Sequence, residues 1–365
     1  MEHNVDLIGV AGEVGFGVAA IEDKQVPKGW SKLDGHDNPE HSNYGNVLDD
    51  NGSVMVWIPR FYFKWTKKNK CKISAVEKDG YVLHRAFIDG GAEQDGFFID
   101  KYECGNVDGK FTSKEDLKPC STYGNDSISH LSNNPNSNLG GLYKAVKTRG
   151  DKHFLTTLFI WNALGMLAYA NNGNKLEQMK FHNNQECGVK NIDPSRYEVA
   201  AGLTKLNDED GIFKVLKFNS AAAELESDTE AYNETFYDNL DLTKFIGDGG
   251  WKYTSDETTA FKMSDDIYSK DYIKTCMGIP RTKALSDNSN ERFAKAGVYR
   301  YARNELACLV GGNWGNSSNA GVFAMYLYNN RTYSSNTVGG RASVIVSDSS
   351  LYNKLNNKKG KLKCK

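Results

Sequence analysis

"GGNWGNSSNAGVFAMYLYNNRTYSSNTVGGR", Gly311 to Arg341, is the stretch that decides how this chain folds. A glycine pair opens it and another closes it. Within it, Val322–Tyr328 ("VFAMYLY") alternates. Phe323, Met325 and Leu327 fall on one face; Val322, Ala324, Tyr326 and Tyr328 fall on the other. Strand side chains point to opposite faces in turn, so this period marks a strand. The first face is expected to enter a core. The second carries tyrosines, and the flanking loops offer Trp, Asn, Ser and Arg. Tyr gives a large rigid contact area and a hydroxyl at small entropic cost, and Asn and Ser add adaptable hydrogen bonds. That mixture is recognition chemistry. Gly339 and Gly340 precede a final strand, "RASVIV", where glycine permits a special dihedral or a close backbone approach.

The rest of the chain reads as many short strands and few helices. Ser53–Trp65, "SVMVWIPRFYFKW", alternates on both sides of Pro59. Proline cannot donate to a sheet ladder, so Pro59 marks an edge, bulge or break. "YVLHRAFIDG" and "GFFIDKYECG" add strand-like runs. His84 is expected to be structural or on the surface, and Lys101 and Glu103 to lie on a partly exposed strand. Lys152–Ala170 is the clearest helix, with Phe154, Leu158, Trp161, Leu164 and Leu167 at helical spacing. Ser121–Gly141 reads as a long polar loop.

The opening, "LIGVAGEVGFGVAAI", has four glycines in fifteen residues. Each interior glycine costs about 1 kcal/mol in a helix relative to Ala, so an extended arm is expected. Its spacing, "GEVGFG", does not fit a dinucleotide-binding loop. A free arm would expose Val14, Phe16, Val18 and Ile21. Gly12, Gly15, Phe16 and Gly17 are therefore expected to pack on another subunit or on a copy of the same chain.

Composition narrows the function classes. The chain has 365 residues, 39% of them hydrophobic and 25% charged, with 17 Phe, 19 Tyr and 6 Trp. Such aromatic content is that of a compact fold rather than a disordered chain. A formal net charge of -1 argues against a nucleic-acid partner. The one basic block, Lys354–Lys365, holds six lysines and no acid, and reads as a solubilising tail. Seven cysteines lack CxxC spacing, so neither a disulfide framework nor zinc is expected; the reading is a reduced protein made in a cytosol. The first residues are polar and acidic, unlike a secretory signal, and no stretch is expected to insert into a membrane.

Gly311, Gly312, Trp314, Asn330, Arg331, Gly339 and Arg341 together resemble the C-terminal signature of the formylglycine-generating-enzyme-like branch of the C-type lectin fold. Within that branch the chain is most similar to variable domains of phage and bacterial proteins tied to diversity-generating retroelements. It also resembles phage tail proteins through Gly15–Ala19, Asn43–Asn46 and Val54–Trp65. Phe87–Glu103 looks like the strand pair of that fold, and the helix around Trp161 fits one of its helices. The resemblance implies an α+β, C-type-lectin-like domain over residues 47–346, with twisted antiparallel sheets, two helices and long loops. Residues 1–46 become an attachment or assembly segment, and 347–365 a basic tail.

By position, the displayed ligand-binding residues are then Asn313, Trp314, Asn316, Ser317, Ser318, Tyr326 and Tyr328. The family tryptophan is often packed, which gives Trp314 a second reading as scaffold. Arg331 either braces a loop, the favoured role, or meets an acidic ligand. The implied protein is a tail-associated virion component, made in the host cytoplasm, that binds a host-surface glycan or protein. Its expected partners are other virion proteins and copies of itself, a trimer by analogy with phage tail parts.

The alternatives are a purely structural virion protein and a glycan-active or oxidising enzyme on the same fold. Oxidising members use a cysteine pair, and the contexts of Cys276 and Cys308, "KTCMG" and "LACLV", do not match it. No Ser-His-Asp order, HExxH motif or P-loop is present. Asp265 and Asp266 read as solvated loop charges. The calcium-lectin triplets "EPN", "QPD" and "WND" are absent. No catalytic residue, metal or cofactor is expected.

Overall fold

A computed structural model describes residues 8–175, 180–192, 196–205, 211–225, 236–247, 249–255, 259–288, 292–301, 303–316 and 319–346. The architecture is α+β, with mixed sheets and few helices. The Val54–Pro59 strand sets the layering. Val56 and Ile58 enter the main core, while Met55 and Trp57 enter a smaller cluster on the opposite face. Both faces are buried, so the apolar run is nearly continuous. Pro59 ends the strand, as its missing N–H requires, and Tyr62–Trp65 resumes in a separate three-stranded sheet.

Val54–Pro59 is an inner strand of a six-stranded sheet. The order is Ser31–Lys32, Asn46–Leu48, Val54–Pro59, Gly96–Asp100, Ala342–Val344, Phe154–Leu155, and every pair is antiparallel. The seven-stranded sheet runs Leu285–Ser286, Trp251–Ser255, Arg292–Tyr299, Gly321–Tyr326, Leu309–Gly311, Tyr197–Val199, Val338–Gly339. Here the expectation of antiparallel sheets fails at two places. Arg292–Tyr299 runs parallel to Gly321–Tyr326, and Tyr197–Val199 parallel to Val338–Gly339. The first case has a simple cause. Leu309–Gly311 skips one position in the sheet, and its antiparallel return, Gly321–Tyr326, fills the slot beside Arg292–Tyr299.

The long helix is Leu158–Asn171, shorter at its start than the spacing predicts. Phe154 and Leu155 pair instead with Ser343 and Ala342 in the first sheet. Thr157 then caps the helix, its side chain accepting from the Ile160 N–H at 3.3 Å. Every residue from Leu158 to Ala170 is buried, so this is an interior helix and not an amphipathic one. Gly165 lets the Phe323 ring approach: a Cβ there would lie 3.0 Å from it. Leu142–Val146 and Lys270–Cys276 are the shorter α-helices among the described residues. None of the described helices is long and apolar enough to cross a membrane.

Two expectations about exposure are corrected, and His84 takes the structural of its two readings. Phe16, Val18 and Ile21 are buried against this chain's own core rather than displayed on an arm. Lys101 and Glu103 are buried too. The Lys101 ammonium donates to the Ser42 carbonyl at 2.8 Å and to Asn46 Oδ1 at 2.7 Å, and burial pushes its pKa down to about 8. His84 is fully buried beside Asn162 at 3.2 Å, and burial pushes it down to about 3. Cys71, Cys104, Cys120, Cys187, Cys276 and Cys308 are buried free thiols; Cys364 and the tail from residue 347 lie outside the described residues.

The closing segment joins the two large sheets. Val338–Gly339 belongs to one and Ala342–Val344 to the other, so Arg341 sits at the crossing. Its guanidinium is fully buried. Nε donates to Glu198 of the second sheet at 2.8 Å, and Nη1 donates to the carbonyl of Lys101, just past the Gly96–Asp100 strand, at 3.0 Å. A second buried chain of charges runs alongside. Arg149 reaches Asp49 and Asp100, each at 2.7 Å, and Asp100 accepts from the Ala342 N–H at 2.7 Å. Paired and hydrogen-bonded in this way, these charges tolerate burial.

Candidate functional site

The Gly321–Tyr326 strand is buried on both faces as far as Met325. Phe323 packs among Trp65, Tyr169 and Phe261, and Trp161 Nε1 donates to the Val322 carbonyl at 3.2 Å. Val322 and Ala324, which begin the tyrosine-bearing face, are also buried. Side chains open to solvent on that face are therefore confined to its end, at the half-buried Tyr326 and Tyr328.

There the sheet gathers aromatic rings from distant parts of the chain. Tyr326 lies 4.7 Å from Tyr299, 5.6 Å from Tyr197 and 5.7 Å from Trp251, ring centre to ring centre. Tyr328 continues the row, 5.7 Å from Tyr299 and 5.6 Å from Tyr301. The tilted and edge-on packing suits the ring quadrupoles. Trp251 approaches closely because residue 297 is glycine; a Cβ there would lie 3.2 Å from the indole. Burial, then the neighbouring Tyr299, Tyr328 and Tyr333, raise the Tyr326 phenol. Burial likewise raises Tyr197 far above its ordinary value. At neutral pH both are hydroxyl donors, not phenolates.

The row ends at an arginine. The Arg303 guanidinium stands 4.5 Å over the Tyr328 ring and 5.1 Å over the Tyr301 ring. Its Nη2 donates to the Tyr328 hydroxyl at 2.8 Å, and its backbone N–H to the Leu327 carbonyl at 3.2 Å. Arg303 and Tyr301 are both exposed.

The turn after Leu309–Gly311 has a self-contained frame. Gly311 and Gly312 adopt φ of 82° and 107°, a region that favours glycine, and a Cβ on Gly312 would meet Ala320 at 2.4 Å. The Gly315 N–H donates to Asn313 Oδ1 at 2.8 Å, and the Asn313 N–H to Asn316 Oδ1 at 3.0 Å. Both amides thus build the turn, with the Asn316 side chain beside Tyr197. Trp314 at the tip is 65% exposed and not packed as scaffold. Ser317 and Ser318 lie outside the described residues. Arg331 is buried, its Nε and backbone N–H donating to the Glu305 carbonyl at 3.4 and 3.0 Å, while the Gly140 N–H donates to its own carbonyl at 2.9 Å. These bonds tie Arg331 to the segments around Glu305 and Gly140.

The sequence reading missed Tyr197, Trp251, Tyr299, Tyr301 and Arg303. One signal was available: "VYRYAR" repeats the Tyr-x-Tyr spacing of Tyr326 and Tyr328. The residues assigned to assembly face this chain's own loops. The Gly12 N–H donates to Asn171 Oδ1 at 2.8 Å and the Gly15 N–H to Gln185 Oε1 at 2.6 Å. Gly17, with φ of 81°, lies against His182, and Phe16 is buried. A cleft of about 620 Å³ opens beside them, lined by Val14, Pro39, His41, Asn184 and Glu186 among others. Cys276 and Cys308 are both fully buried, and burial pushes each thiol up to about 12. Asp265 and Asp266 are exposed.

No protein-family model matches the chain, and no curated protein does. Among solved structures, it is similar to the Major Tropism Determinant M1 variant, with 13% identity and a TM-score of 0.32 over 80% of this chain. The I1 variant aligns with 10% identity and a TM-score of 0.31 over 79%, and the U1 variant with 13% and 0.30 over 82%. The alignments cover 63%, 72% and 65% of those chains, so this chain spans less than two thirds of the M1 variant.

Proposed function

We propose that this chain is a receptor-binding protein of a phage virion, associated with the tail, whose C-type-lectin-like domain displays the aromatic row and the Trp314 turn to a host-surface ligand. One observation carries the reading. Tyr326, Tyr328, Tyr299 and Tyr301 form a connected, half-open aromatic surface on a rigid sheet, with an exposed indole on a neighbouring turn. Rigid aromatic anchors lose little entropy on binding and dominate interface energetics. The resemblance of Gly311–Arg341 to displayed variable domains supplies the phage context. In this reading the protein binds and does not catalyse, and it assembles with other virion proteins and with copies of itself.

The test is binding of the purified protein to susceptible cells. Trp314→Ala and Tyr328→Ala should each weaken it by about thirtyfold, from the roughly 2 kcal/mol carried by a hot-spot aromatic. Trp314→Ala should leave the circular dichroism spectrum and the melting temperature unchanged, since the indole is 65% exposed. Full binding by both folded variants would move the site elsewhere. Loss of folding on replacing both Tyr326 and Tyr328 would favour the structural-protein alternative, in which this row is a subunit interface.

A further inference from the structure

We infer that the aromatic row takes a carboxylate-bearing sugar residue, a uronic or sialic acid, with Arg303 as the group that holds its carboxylate. The inference rests on the binding role proposed above and adds the chemistry of the ligand.

Arg303 differs from the charged groups around it. Among the described residues no carboxylate pairs with it, whereas Lys252 on the neighbouring strand pairs with Asp287. Arg300 spends its guanidinium on the carbonyls of Phe245 and Ile246, and Arg331 reaches the carbonyl of Glu305. Among the described residues the Arg303 side chain makes one hydrogen bond, to the Tyr328 hydroxyl. A guanidinium has five N–H donors in a fixed plane. Packing over the rings of Tyr328 and Tyr301 fixes that plane, so the side chain is held before a ligand arrives. The remaining donors lie along its edges, where a carboxylate binds in bidentate fashion.

The neighbouring rings favour a sugar over a peptide as the bearer of that carboxylate. Tyr301, Tyr328, Tyr299 and Tyr326 form a connected group of rings at tilted and edge-on angles, with Tyr301 exposed and the other three half-buried. The C–H face of a pyranose packs on such rings, and its hydroxyls meet phenols and amides. A peptide that binds by adding a strand needs a free sheet edge. The edges of this sheet are Leu285–Ser286 and Val338–Gly339, and the row lies across the inner strands instead.

Calorimetry on the full chain tests this with four probes: sialyllactose, lactose, an oligogalacturonate and its methyl ester. The expected result is binding of the two acidic glycans, weakening with added salt, and at least about tenfold weaker binding of lactose and of the ester. Arg303→Gln should abolish that preference without changing the melting temperature, and Arg303→Lys should recover only part of it. Equal affinity for acidic and neutral probes, no binding of either acidic glycan, or full preference in Arg303→Gln would each overturn the inference. So would tighter binding of an acidic peptide such as oligoglutamate. Cell binding separates the two levels. If Trp314→Ala and Tyr328→Ala lose it while Arg303→Gln keeps it, the surface binds but not through an acid. If all three keep it, the receptor site lies elsewhere on the chain, and if the unaltered protein does not bind cells the receptor-binding role itself fails.

Discussion

Single residues were legible in chemistry but not in place. Trp314 and Arg331 each had two readings in the sequence, display or scaffold, and they divide: the indole is exposed and the guanidinium is buried against Glu305. No local signal separates these outcomes, because both residues stand in polar turns. Histidines were equally ambiguous, and their burial has a measurable consequence. His182 Nδ1 accepts from the Val189 N–H at 2.8 Å, and its Nε2 lies 3.3 Å from the Gly17 carbonyl. An imidazole that accepts at one nitrogen is neutral, and burial pushes its pKa down to about 4; His84 goes down to about 3. Below the ordinary value of 6.5, the unfolded chain takes up protons that these folded imidazoles refuse, so each contributes stability that is lost as pH falls. Glu198 acts in the opposite sense. Burial raises it to about 7, so its contribution grows as pH falls from about 7 toward 4.5. Each group has the same limiting slope, about 1.4 kcal/mol per pH unit. Two imidazoles outweigh Glu198, and His153, also lowered by burial, stands against Asp89, whose carboxyl burial raises. Thermal melts should therefore fall between pH 6.5 and 5. His182→Gln should flatten that slope; a melting temperature that rises over the same range would contradict the argument.

Elements were legible where periodicity is local. Val54–Pro59 and Tyr62–Trp65 stand where alternation and Pro59 place them. The long helix kept its identity but lost its first turn to pairing with a strand nearly two hundred residues away in sequence, an interaction no window of sequence contains. The docking of the glycine-rich opening was hidden for the same reason. Its apolar residues alternate with glycine, which reads as an arm awaiting a partner. Part of it docks on the chain itself: a Cβ on Gly15 would lie 3.1 Å from Tyr44 and 3.2 Å from Pro39, and one on Gly17 3.2 Å from His182, while Val14 stays exposed. Phe16, 1% exposed, has become a core residue. Phe16→Ala should then destabilise the fold by about 3–5 kcal/mol in chemical denaturation, the usual loss for a buried phenylalanine. An unchanged midpoint would mean that this segment is not docked in solution. Oligomeric state, measured on the same variant, separates this packing role from the assembly role assigned to Gly12, Gly15, Phe16 and Gly17. Fewer subunits with unaltered stability would favour assembly.

At the scale of the whole molecule, strand order was the part hidden from sequence. Burial on both faces removes the polar half of the alternation, so neither the layers nor the parallel pairs leave a trace in composition. The aromatic row is hidden similarly, since Tyr197, Trp251, Tyr299 and Tyr326 become neighbours only once the second sheet forms. The closing glycines and arginine fall where the two large sheets meet. Gly339, Gly340 and Arg341 carry the chain from one large sheet to the other, and Arg341 ties Glu198 to the carbonyl of Lys101 at that crossing. This topology bears on where an independently stable unit begins. Ser31–Lys32 and Asn46–Leu48 are strands of the six-stranded sheet, and Ile8, Phe16 and Val18 belong to the main core. A boundary at residue 46 would strip one sheet of Ser31–Lys32, cut into Asn46–Leu48 and open the core beneath Phe16. Limited proteolysis followed by mass measurement should give a resistant fragment whose N-terminus lies ahead of Phe16. A stable fragment starting near residue 47 would instead restore the opening segment as a separate attachment arm, and would place Phe16 at an interface between chains.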